Sequence, residues 1–156
     1  MRVSMVAAGL VMIALANAGS LDMDAEKDYA RAQELFRQGL ERQALLSLAD
    51  FTRRFPLHAK MPEARLTTGE LYFRDRKWNE AIREALLVLK EKSASNDERA
   101  RATLLVGDAR YGAGQLEDAL IEYEALLRRY PASPVAVKAK EQVARVKTEL
   151  GRRKDS

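Results

Sequence analysis

The chain repeats one stretch of sequence: residues 44–56 read ALLSLADFTRRFP, and residues 119–131 read ALIEYEALLRRYP. A third copy, AIREALLVLK, begins at Ala81 and lacks the closing proline. The copies begin at Ala44, Ala81 and Ala119, which are 37 and 38 residues apart. A period of this length is typical of stacked helical hairpins, in which each repeat is one pair of helices. Such a stack usually presents an extended binding surface to a partner.

Apolar residues at helical spacing predict seven helices, bounded by glycine, proline or a capping residue. The predicted helices span residues 22–38, 42–54, 62–74, 78–92, 96–111, 116–130 and 135–150. Ser95, followed three residues later by Glu98, resembles a capping box, and Gly151 is expected to end the last helix. No long linker rich in proline or glycine interrupts the pattern, so we expect one folded domain over residues 19–151.

The first 18 residues have the pattern of a secretory signal peptide. Met1 and Arg2 supply a positive start, an apolar stretch follows as far as Ala16, and small residues stand at Ala16 and Ala18. The apolar stretch is about 14 residues long, whereas a spanning helix needs about 20. We therefore expect cleavage after Ala18, no membrane span in the mature protein, and a basic polar tail over residues 152–156.

The composition limits the cellular compartments and the kinds of partner that fit this protein. The chain has no cysteine, so it has neither disulfides nor the lipidated cysteine of a bacterial lipoprotein. An exported helical protein of this kind fits the bacterial periplasm. The formal net charge is +4, and basic and acidic residues alternate along nearly every segment, which indicates solvated helix faces. No concentrated basic stripe with stacking aromatics is present, so we expect no nucleic-acid partner.

The sequence offers no set of residues for catalysis. His58 is the single histidine, which is too few for a metal site, and we predict it to be a solvated loop residue. No glycine-rich phosphate loop with its Lys-Ser/Thr pair occurs. No nucleophile, base and orienting residue can be grouped, so we expect neither an enzyme nor a cofactor. The aromatic residues, Trp78 among them, stand at helical spacing and are expected to pack in the core.

Three pairs of small residues give the repeats a recognisable form. Each pair is separated by twelve residues, and the pairs are Ala32 with Ala44, Gly69 with Ala81, and Gly107 with Ala119. A proline follows twelve residues after the alanine in the first and third repeats, as Pro56 and Pro131, while the second has Ser93 there. This pattern resembles the tetratricopeptide repeat (TPR), in which the two small residues let a helix A and a helix B cross closely. A larger side chain at Gly69 or Gly107 is expected to force the hairpin apart.

The resemblance implies a right-handed superhelix, an all-α solenoid of about three helical hairpins plus a C-terminal capping helix. The seventh helix aligns as helix A of an unfinished fourth repeat, with Ala144 at the small position. The phrase RRYPASP at residues 128–134, with Ala136 and Ala139 after it, is similar to a phrase of two families of exported bacterial envelope proteins. One is the TPR protein that works with the Tol–Pal system. The other is the lipoprotein of the outer-membrane protein assembly machine, here without its lipidated cysteine.

In this family the A helices line a concave groove that binds a segment of a partner protein. The inner positions lie one, four and five residues after the small residue, and three and six residues before it. The resemblance also places the apolar residues Leu66 and Leu104 there. Its ten polar and aromatic candidates are Gln33, Phe36, Arg37, Glu63, Glu70, Phe73, Arg74, Arg101, Asp108 and Tyr111. Mixed charge and aromatic surface suits recognition of a peptide.

The sequence therefore indicates a non-catalytic interaction scaffold of the cell envelope that binds a peptide or helix of a partner. Two other classes stay open. In the first, the chain is a structural subunit of a larger envelope assembly and docks through its convex face or its last helix. In the second, the chain binds cell-wall or lipid ligands, and such binding would need an apolar cavity between helices. The identity of the partner, the oligomeric state and the pathway do not follow from the residues.

Overall fold

The structure, a computed structural model, describes the backbone of residues 4–154 and the side chains of residue 19 and residues 21–153. Over this range the chain forms α-helices and no strand, which confirms the all-α prediction. In chain order the helices are α1 (Ser4–Arg37), α2 (Glu41–Arg54), α3 (Met61–Arg74), α4 (Trp78–Lys90), α5 (Asn96–Gly112), α6 (Leu116–Arg129) and α7 (Ala136–Lys154).

Two helix ends differ from the sequence prediction. Helix α1 is already formed at Ser4, the first described residue, and not only from Asp22, so its backbone includes much of the predicted signal peptide. Residues 1–3 and the side chains of residues 4–18 lie outside the described part of the chain, and the cleavage site stays a prediction. The prediction that Gly151 ends the last helix is wrong, because α7 continues to Lys154. The basic residues after Gly151 favour this extension, since positive charge complements the carboxyl end of a helix dipole.

The turn of each hairpin depends on one residue with a left-handed backbone conformation. Gly39 between α1 and α2 has a φ of 73°, and Gly114 between α5 and α6 has a φ of 78°. The equivalent position between α3 and α4 is Arg76, whose φ is 56°. Each of these residues lies seven residues after the small residue of its helix A. Glycine suits such a position because it has no Cβ to clash with the following carbonyl.

Helix α5 begins with the predicted capping box. The Ser95 side-chain oxygen accepts a hydrogen bond from the Glu98 backbone N–H, at 3.2 Å. In return, the Ser95 backbone N–H donates to Glu98 Oε2 at 2.7 Å. The backbone N–H groups of Ser95 and Glu98 thereby both have hydrogen-bond partners, which fixes the point where α5 begins.

The chain divides into two compact units, one ending at Met61 and one beginning at Pro62. In the first unit α1 packs against α2. Ala32 and Ala44, the predicted small pair, are both fully buried. The Phe51 ring lies 5.5 Å from the Tyr29 ring and 5.6 Å from the Phe55 ring, so an aromatic row fills the space between the two helices. Helix crossing through a small pair and aromatic packing together stabilise this hairpin.

His58 is not the solvated residue that the sequence predicted. It lies in the loop after α2, but its side chain is only 9% exposed. Its Nε2 atom lies 3.1 Å from Asp22 Oδ1 and 3.7 Å from Glu26 Oε1, both on α1. Its ring meets the Phe51 ring edge-on at 5.5 Å. The histidine therefore fastens the loop after α2 to the side of α1.

The second unit contains helices α3 to α7, which pack as successive neighbours around two apolar clusters. The first cluster joins α3, α4 and α5, and its buried members are Leu66, Ala85, Val88, Ala94, Ala102, Leu105 and Val106. The second joins α5, α6 and α7, and its buried members are Leu104, Leu116, Ala119, Tyr123, Leu126, Ala136, Ala139 and Val146. Because α5 contributes to both clusters, it is the central helix of the unit.

The glycines at the predicted small positions of the second unit face close neighbours. A Cβ atom added to Gly69 would lie 2.8 Å from a Leu105 methyl group and 3.4 Å from the Ala81 carbonyl oxygen. A Cβ atom added to Gly107 would lie 2.6 Å from the Tyr123 ring. Both carbon–carbon distances are shorter than a normal contact. The Leu105 methyl group ends a flexible side chain and can shift, whereas the Tyr123 ring is buried, so Gly107 is the more strictly constrained position.

Among the helices whose side chains are described, none combines the length and the apolar character needed to cross a membrane.

Candidate functional site

A groove in the second unit brings together residues from three helices and one loop. It has a volume of about 400 Å³. We call it the α3–α5–α7 groove, and its lining residues are Glu70, Phe73, Arg74, Arg101, Leu104, Leu105, Asp108, Val135 and Lys138. Five of the ten sequence-predicted binding residues lie in this groove, namely Glu70, Phe73, Arg74, Arg101 and Asp108.

The floor of the groove is apolar. Leu104 and Leu105 are almost fully buried beneath it, and Phe73 and Val135 are half-buried at its sides. Leu66, which the sequence placed on the inner surface, is instead fully buried in the core cluster of α3, α4 and α5. An apolar floor of this kind offers surface that a partner's side chain can cover.

Arg101 joins the two acidic residues of α3 across the groove. Its Nη1 atom lies 3.0 Å from Glu63 Oε2, and its Nη2 atom donates to Glu70 Oε1 at 3.1 Å. Burial alone would lower the pKa of Arg101, but the charges of Glu63 and Glu70 outweigh burial and raise that pKa. All three residues were predicted to contact a partner, and the structure shows that they also bind one another.

Asp108 makes a second network on the same face. Its Oδ2 atom accepts from Lys138 Nζ at 2.7 Å, and its Oδ1 atom accepts from the Tyr123 hydroxyl at 2.8 Å. Burial raises the pKa of the Tyr123 hydroxyl well above its ordinary value, and the Asp108 charge raises it further. The hydroxyl therefore stays protonated and remains a donor. Asp108 thus connects the core of the unit to the charged edge of the groove.

The two networks use the same positions in successive repeats. Glu70 and Asp108 each follow the small glycine of their helix by one residue. Arg101 and Lys138 each stand six residues before the small residue of the next helix A. An acid in one repeat therefore pairs with a base in the following repeat, and the pairing occurs twice. We call these two contacts, Glu70–Arg101 and Asp108–Lys138, the charge ladder.

A second pocket follows along α5 towards the end of the chain. It has a volume of about 550 Å³ and is lined by Tyr111, Ala144, Arg145, Thr148, Glu149 and Arg152. The Tyr111 hydroxyl donates to Glu149 Oε2 at 3.0 Å. Tyr111 is the predicted binding residue found here, one helical turn beyond Asp108, so this pocket and the α3–α5–α7 groove share the inner face of α5.

The remaining predicted residues belong to the first unit. Gln33 donates from Nε2 to the Tyr29 hydroxyl at 2.7 Å. Arg37 is largely exposed and pairs with Glu34 at 2.5 Å. Phe36 is half-buried on the same helix. These three residues lie together on α1, and their role in binding stays a prediction.

The contribution of α7 to both pockets was not predicted from the sequence. Lys138 and Arg145, Thr148 and Glu149 line the two pockets, yet they were assigned to a solubilising cap. The spacing used for the other repeats would have found them. Lys138 stands six residues before Ala144, and Arg145, Thr148 and Glu149 stand one, four and five residues after it. These are the inner positions of a helix A.

Other candidate chemistry finds no support in the described part of the chain. No group of three histidine, cysteine or carboxylate side chains there could hold a metal ion. Trp78 packs edge-on against Phe73 with ring centres 5.2 Å apart. Its ring also lies against Gly112, where an added Cβ would be 2.9 Å away. Trp78 is therefore a packing residue between α3, α4 and α5.

These spacings and contacts define a helical-repeat binding protein. The family model of the tetratricopeptide repeat matches residues 28–97 and 93–134. The chain belongs to the tetratricopeptide repeat family, as its small-residue pairs predicted. No sequence among the curated proteins matches the chain.

Solved structures share the fold at low sequence identity. The first TPR domain of Spaghetti (RPAP3), bound to the HSP90 peptide SRMEEVD, has a TM-score of 0.69 and 20% identity, over 83% of this chain and 95% of that domain. The Arabidopsis OM64 TPR domain has a TM-score of 0.67 and 12% identity, over 82% and 98%. MamA from Desulfovibrio magneticus has a TM-score of 0.59 and 22% identity, over 85% and 78%.

Proposed function

We propose that this chain is a non-catalytic adaptor of the bacterial cell envelope, and that its α3–α5–α7 groove binds a peptide or helix of a partner protein. The single observation that carries the proposal is the groove itself. It combines an apolar floor with charged side chains at its edge, drawn from three separate helices. Apolar anchors supply affinity in such sites, and edge charges select the partner and its orientation.

The comparisons support the general role. The Spaghetti (RPAP3) domain is described as bound to a peptide of HSP90, and a second TPR domain of human RPAP3 is described in complex with an HSP70 peptide. A TPR domain is an interaction module, and the residues of this groove carry no catalytic set. The envelope setting rests on the signal-peptide pattern and on the RRYPASP phrase, which resembles the Tol–Pal-associated and outer-membrane assembly types.

Photo-crosslinking in living cells is the test of groove binding. A crosslinking amino acid is placed at Phe73 in the groove or, as the control, at Ile121, which is exposed on α6. We expect one envelope protein to be captured from position 73 and not from position 121. The reversed variant, Arg74→Glu with Lys138→Glu, is expected to reduce that capture by about tenfold or more, because edge charges select the partner.

A matched control separates groove charge from net charge. Lys90→Glu with Lys92→Glu makes the same change of charge at exposed residues outside the groove. Capture from position 73 is expected to survive this change. Equal capture by the reversed variant, or capture only from position 121, would move the binding surface away from the groove.

Export to the periplasm has its own test. The full chain is expressed in a bacterium, the cells are fractionated, and the amino terminus of the product is sequenced. We expect a periplasmic protein that begins at Gly19. Ala18→Phe is expected to leave the precursor uncut, because the peptidase requires a small residue there. An intact Met1 in the cytoplasmic fraction of the wild type would contradict both the export and the envelope role.

The second proposed role is that of a structural subunit in a larger envelope assembly. One observation favours it: Val137 on α7 is 65% exposed, although its counterparts in the other A helices are buried. In that role the chain would dock through its last helix.

A further inference from the structure

Helix α7 has the complete layout of a helix A. Ala144 stands at its small position, and Gly151 follows seven residues later. That second position is the turn position of the hairpins, where Gly39, Arg76 and Gly114 adopt positive φ. In α7 the equivalent Gly151 is helical, and an added Cβ would meet nothing within 4 Å.

The side that a helix B would cover is open. In the three hairpins the small residues of helix A, Ala32, Gly69 and Gly107, are all buried, whereas Ala144 is exposed. The residue seven before the small one repeats this contrast. Val137 is 65% exposed, and the buried equivalents are Ala25, Pro62 and Ala100. The same positions are therefore covered three times and uncovered once.

The charges of the completed hairpins indicate what would cover it. In the second hairpin Arg65, four residues before the small glycine, lies 3.1 Å from Glu84. In the third, Arg110, three residues after the small glycine, donates from Nη1 to Asp118 Oδ2 at 2.8 Å, and its Nε atom lies 3.7 Å from Glu122 Oε1. Glu84 and Glu122 each follow the alanine of helix B by three residues. In both hairpins a cation on helix A thus lies near an acid three residues after the alanine of the covering helix, and in the third hairpin Asp118 adds a second acid.

Helix α7 carries cations at both of these positions. Lys140 stands four residues before Ala144 and Lys147 three after it, and both are exposed. Lys147 reaches Glu124 at 2.9 Å, and Lys140 has no ion pair among the described residues. The helix as a whole contains seven basic and two acidic residues. Two copies of this face would repel each other, which disfavours a symmetric pair of α7 helices.

We propose that the open face of α7, formed by Val137, Lys140, Ala144, Lys147 and Gly151, binds an acidic amphipathic helix of another protein. That helix crosses α7 through an alanine and carries an acid three residues later, as the helix B of hairpins two and three does. It completes a fourth hairpin between two chains. The inference deepens the structural-subunit role and rests on it, and it is independent of the α3–α5–α7 groove.

The test uses a peptide of known chemistry as the probe. The peptide has the sequence of residues 115–130, which contains Ala119 and Glu122, and is held helical by a lactam bridge from Glu117 to a lysine introduced by Ile121→Lys. Both bridged positions are exposed on α6. A constraint is needed because isolated helices of this length are marginal in water. Binding to the full chain is followed by NMR, and we expect the amide shifts of Val137, Ala144 and Gly151 to move.

Two variants of the protein probe the two features of the face. Ala144→Trp blocks the crossing point and, because Ala144 is exposed, is expected to leave the melting temperature unchanged. Lys140→Glu with Lys147→Glu reverses the charge. Each variant is expected to lower the affinity of the protein for the peptide by about tenfold or more, and tenfold is equivalent to about 1.4 kcal/mol. The peptide variant Glu122→Lys is expected to lose affinity for the wild type and regain it for the charge-reversed protein.

Several outcomes would overturn the proposal. One is the absence of peptide binding, and another is equal binding by wild type and both variants. A third is self-association of the protein alone that Ala144→Trp abolishes, since this would assign the face to a second copy. The control Lys90→Glu with Lys92→Glu is expected to bind the peptide as the wild type does. Because none of these variants alters the groove, failure here would leave the crosslinking test at Phe73 unaffected.

Discussion

Replacing Tyr123 with alanine is expected to lower the free energy of unfolding by about 3–5 kcal/mol, the range for removing a buried aromatic side chain. The Tyr123 side chain is fully buried and is the largest such side chain in the described core. Its ring lies against Gly107, and its hydroxyl donates to Asp108. The substitution therefore leaves a cavity and also removes the hydrogen bond that the Asp108 carboxylate accepts. Urea unfolding followed by circular dichroism measures the change.

Milder substitutions separate the two contributions of Tyr123. Tyr123→Phe keeps the ring and removes the hydrogen bond to Asp108, and is expected to cost about 1.5 kcal/mol, because hydrogen bonds to charged groups are among the stronger ones. Tyr130→Phe is the matched control, since the described residues give the half-buried Tyr130 no side-chain hydrogen bond. It is expected to change stability by less than about 0.5 kcal/mol. A loss below 1 kcal/mol for Tyr123→Ala would show that Tyr123 is not central to the core.

Replacing Gly107 with leucine is expected to lower the free energy of unfolding by about 3 kcal/mol, the upper part of the usual range for overpacking. A Cβ atom alone would lie 2.6 Å from the Tyr123 ring, and that ring is buried and held by its hydroxyl. Neither the ring nor the glycine backbone can move without opening the contact between α5 and α6. Thermal and urea unfolding measure the loss.

Gly151→Leu is the matched control for Gly107→Leu. Both glycines lie in helices, but an added side chain at Gly151 would meet open space. That variant is expected to be neutral or stabilising by up to about 1 kcal/mol, because glycine is unfavourable inside a helix. In a Tyr123→Ala background the cost of Gly107→Leu is expected to fall sharply, since the cavity accepts the new side chain. Additive costs would show that the clash lies elsewhere.

The helical architecture could be predicted because it depends on local and periodic signals. The small pairs twelve residues apart fix where two helices cross, and the stops at Gly39 and Gly114 mark where the chain turns. The identity of the residue in closest contact could not be predicted. Spacing alone suggested that Gly107 faces Ala119, whereas the nearest atoms belong to the Tyr123 ring. A side-chain rotamer depends on all its neighbours, and spacing does not contain that information.

The polar contacts of the site depend on tertiary structure in the same way. His58 was predicted to be solvated because a single histidine is too few for a metal site, yet its side chain contacts Asp22, which is 36 residues away in the sequence. Arg101 and Glu63 are separated by 38 residues, close to one repeat, and their pairing requires adjacent A helices. The place of Lys138 in the groove followed from the repeat spacing once α7 is treated as a fourth helix A. The sequence aligned α7 as helix A of an unfinished fourth repeat, but its inner positions were not predicted to bind because the helix was also expected to cap the array.

The charge ladder has a consequence for how such a chain can grow. Each of its two contacts pairs an acid of one repeat with a base of the next, at the same two positions. A tandem duplication of the third repeat would therefore place a new Arg101 opposite the existing Asp108, and a new Asp108 opposite Lys138. Both junctions would match in charge without any further mutation. The polarity of these contacts makes the repeat compatible with copies of itself, so gene duplication can lengthen the array in a single step.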